Sequence, residues 1–232
     1  MDPKMLPAEA QRLYQSVKKQ YKVGFESLKL DSELHLHLLK ITDLEQVLAG
    51  KDPLRNPSEF PFWIRLWEAA IVLSRFMVSL APAPGTTVLE LGAGLGAPGL
   101  TAAALGCSVT LSDYEDIILD FERVSAAASG LADVNFAMLD WLDPPDMERY
   151  DVILGAEVLF REEFFEPLLG ILRRAVKPDG VIYMAHDLKR KSVQPFLHMA
   201  EKEYTISAKK QVLRSLEEDK EILLTRLTPR PE

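Results

Sequence analysis

Apolar positions change their spacing along the chain, and each change marks an element. Residues 7–21 set Ala8, Leu13 and Val17 among polar side chains, as a helix with one apolar face does. The runs FESLKL and LHLHLLKI flank Asp31-Ser32-Glu33 and predict a β-hairpin. In it Leu34, Leu36 and Leu38 alternate onto one face, and His35 and His37 onto the other. The stretch 50–61, GKDPLRNPSEFP, holds three prolines and a glycine and predicts a linker or an ordered loop. That break divides the chain into an N-terminal helix-and-hairpin extension, residues 1–60, and a main unit, residues 61–232.

In the main unit FWIRLWEAAIVLSRFMVSL has helical spacing from residue 62, and Pro82, Pro84 and Gly85 end the helix. Strands then alternate with helices. TTVLEL, SVTLSD, VNFAML, YDVILGA and GVIYMAH are the strands, with helices near 98–105, 115–128 and 162–175 between them. Short apolar strands separated by helices form a parallel sheet covered on both faces. After a helix near 192–202, EYTISAKKQVL and KEILLTRLT follow with no helix between them, so they pair antiparallel at one edge. The predicted class is α/β, a seven-stranded, mostly parallel sheet with an antiparallel C-terminal hairpin.

Composition narrows the chemistry. With 232 residues, 47% of them hydrophobic and 27% charged, the chain is expected to fold as one domain with an extension. A net charge of -8 argues against a general nucleic-acid partner. Cys107 is the only cysteine, so neither an intramolecular disulfide nor a cysteine zinc site is expected. His35 and His37 lack a local carboxylate or further histidine, which makes them solvent-facing strand residues and not a metal pair. No apolar run approaches the roughly 18 residues of a membrane span, and MDPKMLPAEAQRLYQ lacks the apolar core of a secretory signal. A cytoplasmic monomer is expected.

The strongest motif is Val88-Leu89-Glu90-Leu91-Gly92-Ala93-Gly94-Leu95-Gly96-Ala97-Pro98-Gly99. A buried strand enters a loop with alternate glycines, and a helix follows. Glycine admits positive φ and lets a ligand approach the main chain; a plain tight turn would need only one. Gly92, Gly94 and Ala97 also satisfy the dinucleotide pattern, and Asp113, about twenty positions on, sits where a ribose ligand belongs. Glu90 separates the two ligands. A carboxylate beside the loop repels a pyrophosphate but favours the sulfonium and ammonium groups of S-adenosylmethionine. Asp140, in the loop leaving VNFAML, is placed to reach an adenine amino group, with Trp141 beside it; a turn Asp and a packing Trp are the plainer alternative.

These residues resemble the seven-strand, Rossmann-like methyltransferases, and within them the lysine-methyltransferase-like family 16. The resemblance rests on Trp67-Glu68-Ala69-Ala70-Ile71-Val72-Leu73, similar to the family's W-[DE]-A-A-x-x-L helix, and on VLELGAGLGAPGL, Asp113, LDW at 139–141 and Glu157-Val158-Leu159-Phe160. It covers roughly residues 60–190 well. It implies that Glu90, Gly92, Gly94 and Gly96 line the amino-acid end of S-adenosylmethionine. Asp113 takes the ribose hydroxyls, Asp140 and Trp141 the adenine, and Trp67 packs against the cofactor site. Glu157 and Phe160 face the target amine of a protein substrate as the catalytic pair. Many members carry Asp and Tyr at these two positions, so no phenol hydroxyl is present here. The helix after Asp113 lacks the asparagines common in the family.

The resemblance implies an S-adenosylmethionine-dependent protein-lysine N-methyltransferase without a metal. A small-molecule methyltransferase roofed by the extension, and a non-catalytic binding module with a retained cofactor site, remain the alternatives. Asp143-Pro144-Pro145-Asp146 is similar to the proline-rich motif of DNA amino-methyltransferases, but it precedes YDVILGA where that motif follows its strand. Lys189-Arg190-Lys191 is expected to be a solvated helix start or a contact for an acidic partner.

Overall fold

The computed structural model describes residues 1–48, 61–214 and 218–231. The chain first forms α1 (Ala8–Gln20), β1 (Val23–Lys29), β2 (His35–Ile41) and α2 (Leu44–Leu48). It continues with α3 (Glu68–Leu80), β3 (Thr87–Leu91), α4 (Ala97–Ala104), β4 (Ser108–Asp113), α5 (Asp116–Ala128) and β5 (Val134–Met138). Then come β6 (Tyr150–Ala156), α6 (Phe165–Ala175), β7 (Val176–Asp187), α7 (Val193–Ala200), β8 (Tyr204–Leu213) and β9 (Lys220–Pro229).

Seven strands make one sheet in the order β5-β4-β3-β6-β7-β9-β8. The first five are parallel to their neighbours, and β9 is antiparallel to both β7 and β8. The C-terminal pair thus closes one edge, with the later strand inside. Lys209 and Lys210 are exposed on the outermost strand β8, where charge discourages further pairing. Val88, Leu89, Glu90 and Leu91 are all buried, as consecutive strand residues must be when both faces are covered. Val88 packs with residues of α3 and α4, Leu89 and Leu91 with those of α6 and α7.

Two boundaries differ from the sequence pattern. The helix predicted from residue 62 begins at Glu68; Phe62–Ile64 is a 3-10 turn, and Arg65 and Trp67 are extended. The apolar residues there cover the cavity described below and do not continue a helix face, which is why their spacing misleads. β7 starts at Val176, before GVIYMAH, with a register shift against β6 between Tyr150 and Val152. The predicted linker at 50–61 lies outside the described residues except for Pro61.

The hairpin turns on Asp31, whose Oδ1 accepts from the backbone N–H groups of Glu33 and Leu34 at 2.8 and 2.7 Å. Leu36 and Leu38 are buried, while Leu34 is only half-buried and Leu39 is buried as well. Together with α1, the hairpin shares a core with Ile64, Leu95, Phe121 and Val124. The free edge of β2 is stitched to α5: His37 N–H donates to Ser129 Oγ at 2.9 Å and Leu39 N–H to Ser125 Oγ at 2.8 Å. The helix that lacks the family's asparagines therefore presents serines to this edge. Ser125→Ala strands the Leu39 amide in a buried site and is expected to cost about 1–3 kcal/mol, measured by urea denaturation. Among the described residues no helix is long and apolar enough to cross a membrane, and no group of three His, Cys, Asp or Glu is arranged to hold a metal.

Candidate functional site

The parallel strands end along one side of the sheet, and the strand order reverses about β3, with β4 on one flank and β6 on the other. Ligands of open α/β sheets bind at such a reversal. A cavity of about 470 Å³ lies there, within the range of small-molecule sites.

Its floor is the glycine loop. Gly92, Gly94 and Gly96 have φ of 56°, 58° and 71°, in the left-handed region that glycine alone enters freely. A Cβ on Gly96 would fall 2.9 Å from Leu111 Cδ1. The loop is tied to the end of β4: Ala93 N–H donates to Ser112 O at 3.0 Å and Gly94 N–H to Asp113 Oδ2 at 2.9 Å. Asp113 Oδ1 accepts from Tyr114 N–H at 2.8 Å. Burial raises the Asp113 carboxyl to about 6, against these two hydrogen bonds.

Glu90 is placed differently from the expectation that it lines the cofactor's amino-acid end. It is 1% exposed and does not line the cavity. Its Oε2 accepts from Gly99 N–H at 2.7 Å, in the first turn of α4, so it caps that helix from behind the loop. A side chain pointing inward from a doubly covered strand has no route to the cavity. Glu122, which the sequence reading missed, joins it. Glu122 is fully buried on α5, and among the described residues neither carboxyl oxygen has a hydrogen-bond partner. A Cβ on Gly96 would stand 3.5 Å from Glu122 Cγ, which places this carboxyl side chain beneath the same loop.

Burial pushes Glu90 up to about 8, with the Asp113 charge adding to it, and Glu122 well above the carboxylate range for the same reasons. A carboxyl raised in the folded state takes up a proton on folding. Its contribution is therefore greatest at acid pH and is lost as pH rises from the unfolded value toward the folded one. The cofactor-free protein is expected to lose stability between about pH 5 and 8. Glu90→Gln should stabilise it by more than about 1 kcal/mol at pH 8 and by nearly nothing at pH 4, read from thermal melts across that range.

One wall of the cavity carries the remaining predicted residues, with Trp141 close against Gly92. Trp67, Asp140 and Trp141 line the cavity, as do Glu157 and Phe160. Asp140 Oδ1 accepts from Leu142 N–H at 2.8 Å. Trp67 caps α3 from an extended backbone and donates its indole N–H to Phe62 O at 2.8 Å. Aromatic rings run across this wall in sequence. Trp67 and Phe62 have centroids 6.3 Å apart, Phe62 and Phe160 6.2 Å, Phe160 and Phe164 5.6 Å, and Phe164 and Trp141 6.0 Å. Phe62 and Phe164 were hidden in the sequence because each falls in a stretch read as helix.

Glu157 has φ of 58°, a conformation few non-glycine residues adopt. Its N–H donates to Ala185 O at 2.9 Å, and its Oε1 accepts from Asp187 N–H at 2.6 Å. Its other oxygen meets the Arg190 guanidinium. Burial raises the Glu157 carboxyl, while Arg190 and the Asp187 amide pull it down. Arg190 lines the cavity, whereas its neighbours Lys189 and Lys191 are exposed. The expected solvated run thus conceals one inward-facing member.

The sheet order and the glycine loop at its reversal define a methyltransferase fold. Among solved structures, the chain is similar to a TehB-like SAM-dependent methyltransferase from Corynebacterium glutamicum, with a TM-score of 0.55 and 22% identity, over 68% of this chain and 87% of that one. The lysine methyltransferase family matches residues 63–203. Protein N-lysine methyltransferase METTL21A of Xenopus tropicalis is 32% identical over 148 residues, which is 61% of this chain and 68% of that protein. Histone-arginine methyltransferase METTL23 of Rattus norvegicus is 36% identical over 112 residues, 45% of this chain and 50% of that protein. The chain belongs to the lysine methyltransferase family, and its cofactor is S-adenosylmethionine. The site fits that group: the alternate glycines leave the cavity floor free of side chains, and the Asp113 carboxyl lines the cavity beside them as a hydrogen-bond acceptor.

Proposed function

We propose that this protein moves the methyl group of S-adenosylmethionine to the side-chain nitrogen of a lysine in a protein substrate. The observation that carries the reading is one cavity whose lining combines the glycine loop, a run of aromatic rings and the Glu157 carboxyl. S-adenosylmethionine supplies a methyl group already bonded to a good leaving group. The protein's work is alignment and exclusion of water. The backbone of Gly92, Gly94 and Gly96 accommodates the amino-acid end, with Glu90 bracing the loop from beneath. Asp113 accepts the ribose hydroxyls, and Asp140 and Trp141 hold the adenine. Trp67 closes the site.

A lysine brings a long apolar stem and a cationic tip. Phe160, 41% exposed at the mouth, and Phe62 suit the stem. Glu157 lies deeper, where it accepts a hydrogen bond from the amine. At pH 7.4 only about one lysine in a thousand is neutral, so the site has to favour that fraction. Residues 61–232 act as the methyltransferase domain, and residues 1–60 as an extension whose α1 and β2 pack against α5. The net charge of -8 and the single cysteine support a cytoplasmic monomer acting on protein and not on nucleic acid.

The test is transfer from methyl-labelled cofactor into a cell lysate, with and without protease digestion of the acceptor fraction. Label in protease-sensitive material is expected. Label confined to small molecules would transfer the reading to a metabolite methyltransferase, and tight cofactor binding without transfer to any fraction would make this a binding module.

A further inference from the structure

We propose that Arg190 is a positioning residue that keeps Glu157 from holding the target amine as its ammonium ion. The proposal rests on reading the cavity as a lysine-methylating site. The amine attacks only through a free lone pair. As its N–C bond to the methyl forms, the C–S bond breaks and that electron pair stays on sulfur. The ammonium proton must therefore have left to solvent beforehand, and the methylated nitrogen emerges as the cation. An unpaired carboxylate beside the amine opposes this order of events, because it stabilises the protonated form.

Glu157 is not unpaired. Asp187 N–H occupies one oxygen at 2.6 Å and the Arg190 guanidinium meets the other. The Glu157 side chain is 9% exposed and that of Arg190 27%, so the pair is largely shielded from solvent. Arg190 is held by its own turn, its N–H donating to Asp187 O at 3.0 Å. An incoming nitrogen meets a neutral pair whose positive member also lines the cavity. It can still donate an N–H to Glu157, but it gains little by carrying a charge.

The other charged and titratable groups around the pair do not replace Arg190. His186, at the end of β7, is buried and accepts at Nε2 from Leu159 N–H; burial first, and Arg190 second, lower it to about 3, so it is neutral. The Asp187 carboxylate accepts from Lys189 N–H at 2.8 Å. On the loop after β6, Arg161 pairs with Glu163, and Glu162 is exposed. Ahead of α3, Arg65 pairs with Glu68 at 2.5 Å. Asp113 is turned to the Gly94 and Tyr114 amides, and Asp140 to that of Leu142.

All three tryptophans, Trp63, Trp67 and Trp141, line the cavity, so intrinsic fluorescence reports on its occupancy. The protein is titrated with butyltrimethylammonium, a permanent cation, and with pentanol, a neutral chain. Arg190→Met is expected to bind the cation roughly tenfold more tightly than the wild type, the equivalent of one pKa unit. Pentanol binding should not change, and Arg190→Lys should behave as the wild type. In methyl transfer to lysate protein, the pH at which turnover reaches half its maximum should rise by about one unit in Arg190→Met and stay in place in Arg190→Lys. Equal cation affinity in the wild type and Arg190→Met, or an unmoved pH profile, overturns the proposal. A wild-type product without methyl-lysine instead overturns the lysine reading, and leaves the fluorescence comparison intact.

Discussion

Asp113→Ala is expected to weaken binding of S-adenosylhomocysteine, the demethylated cofactor, at least tenfold by calorimetry. Hydrogen bonds to a charged acceptor are worth about 1.5–3 kcal/mol each, and the proposed ribose contact uses this carboxylate. The structure adds a second loss. Asp113 also receives the Gly94 and Tyr114 amides at 2.9 and 2.8 Å, so its removal frees the glycine loop from the end of β4. Asp113→Asn retains one carbonyl acceptor and should fall between the wild type and Ala. Unchanged affinity in Asp113→Ala would remove the ribose assignment.

Glu157→Gln should reverse that pattern, leaving S-adenosylhomocysteine affinity within about twofold and cutting turnover by about a hundredfold. Misplacing a reacting group by about 1 Å can cost that much. Gln has the same shape and suits the same backbone, so the left-handed turn at residue 157 should persist. What disappears is the charge that pairs with Arg190, and with it the fixed acceptor for the amine. Steady-state rates and calorimetry on the same preparation separate the two effects. If Glu157→Gln and Asp113→Ala impair cofactor binding alike, Glu157 belongs to the cofactor half of the cavity.

The parallel part of the sheet was legible in the sequence because its strands carry short apolar runs separated by helices, and the C-terminal pair because no helix lies between EYTISAKKQVL and KEILLTRLT. The glycine loop was legible because three alternate glycines exceed what a turn needs. Other features were obscured by a local pattern with two physical meanings. Apolar residues at 62–66 fit a helix face, yet Phe62, Trp63 and Leu66 wall a cavity while Ile64 enters the core. Lys189-Arg190-Lys191 has the composition of a solvated turn, and two of the three are exposed as such. Glu90 lies behind the loop, bonded to the Gly99 amide, and not in the cavity lining; strand alternation alone does not say which face holds the ligand. Glu122 did leave a signal: it sits four residues after Ile118 and three before Ser125, an acid within a buried helical stripe. Without the loop packed above it, that signal had no ligand to point to.

The most direct test of the whole account is amino-acid analysis of the labelled protein after acid hydrolysis. The account predicts methyl-lysine, formed by the wild type and nearly absent with Glu157→Gln. Label recovered only as methyl-arginine or methyl-histidine would contradict the lysine assignment.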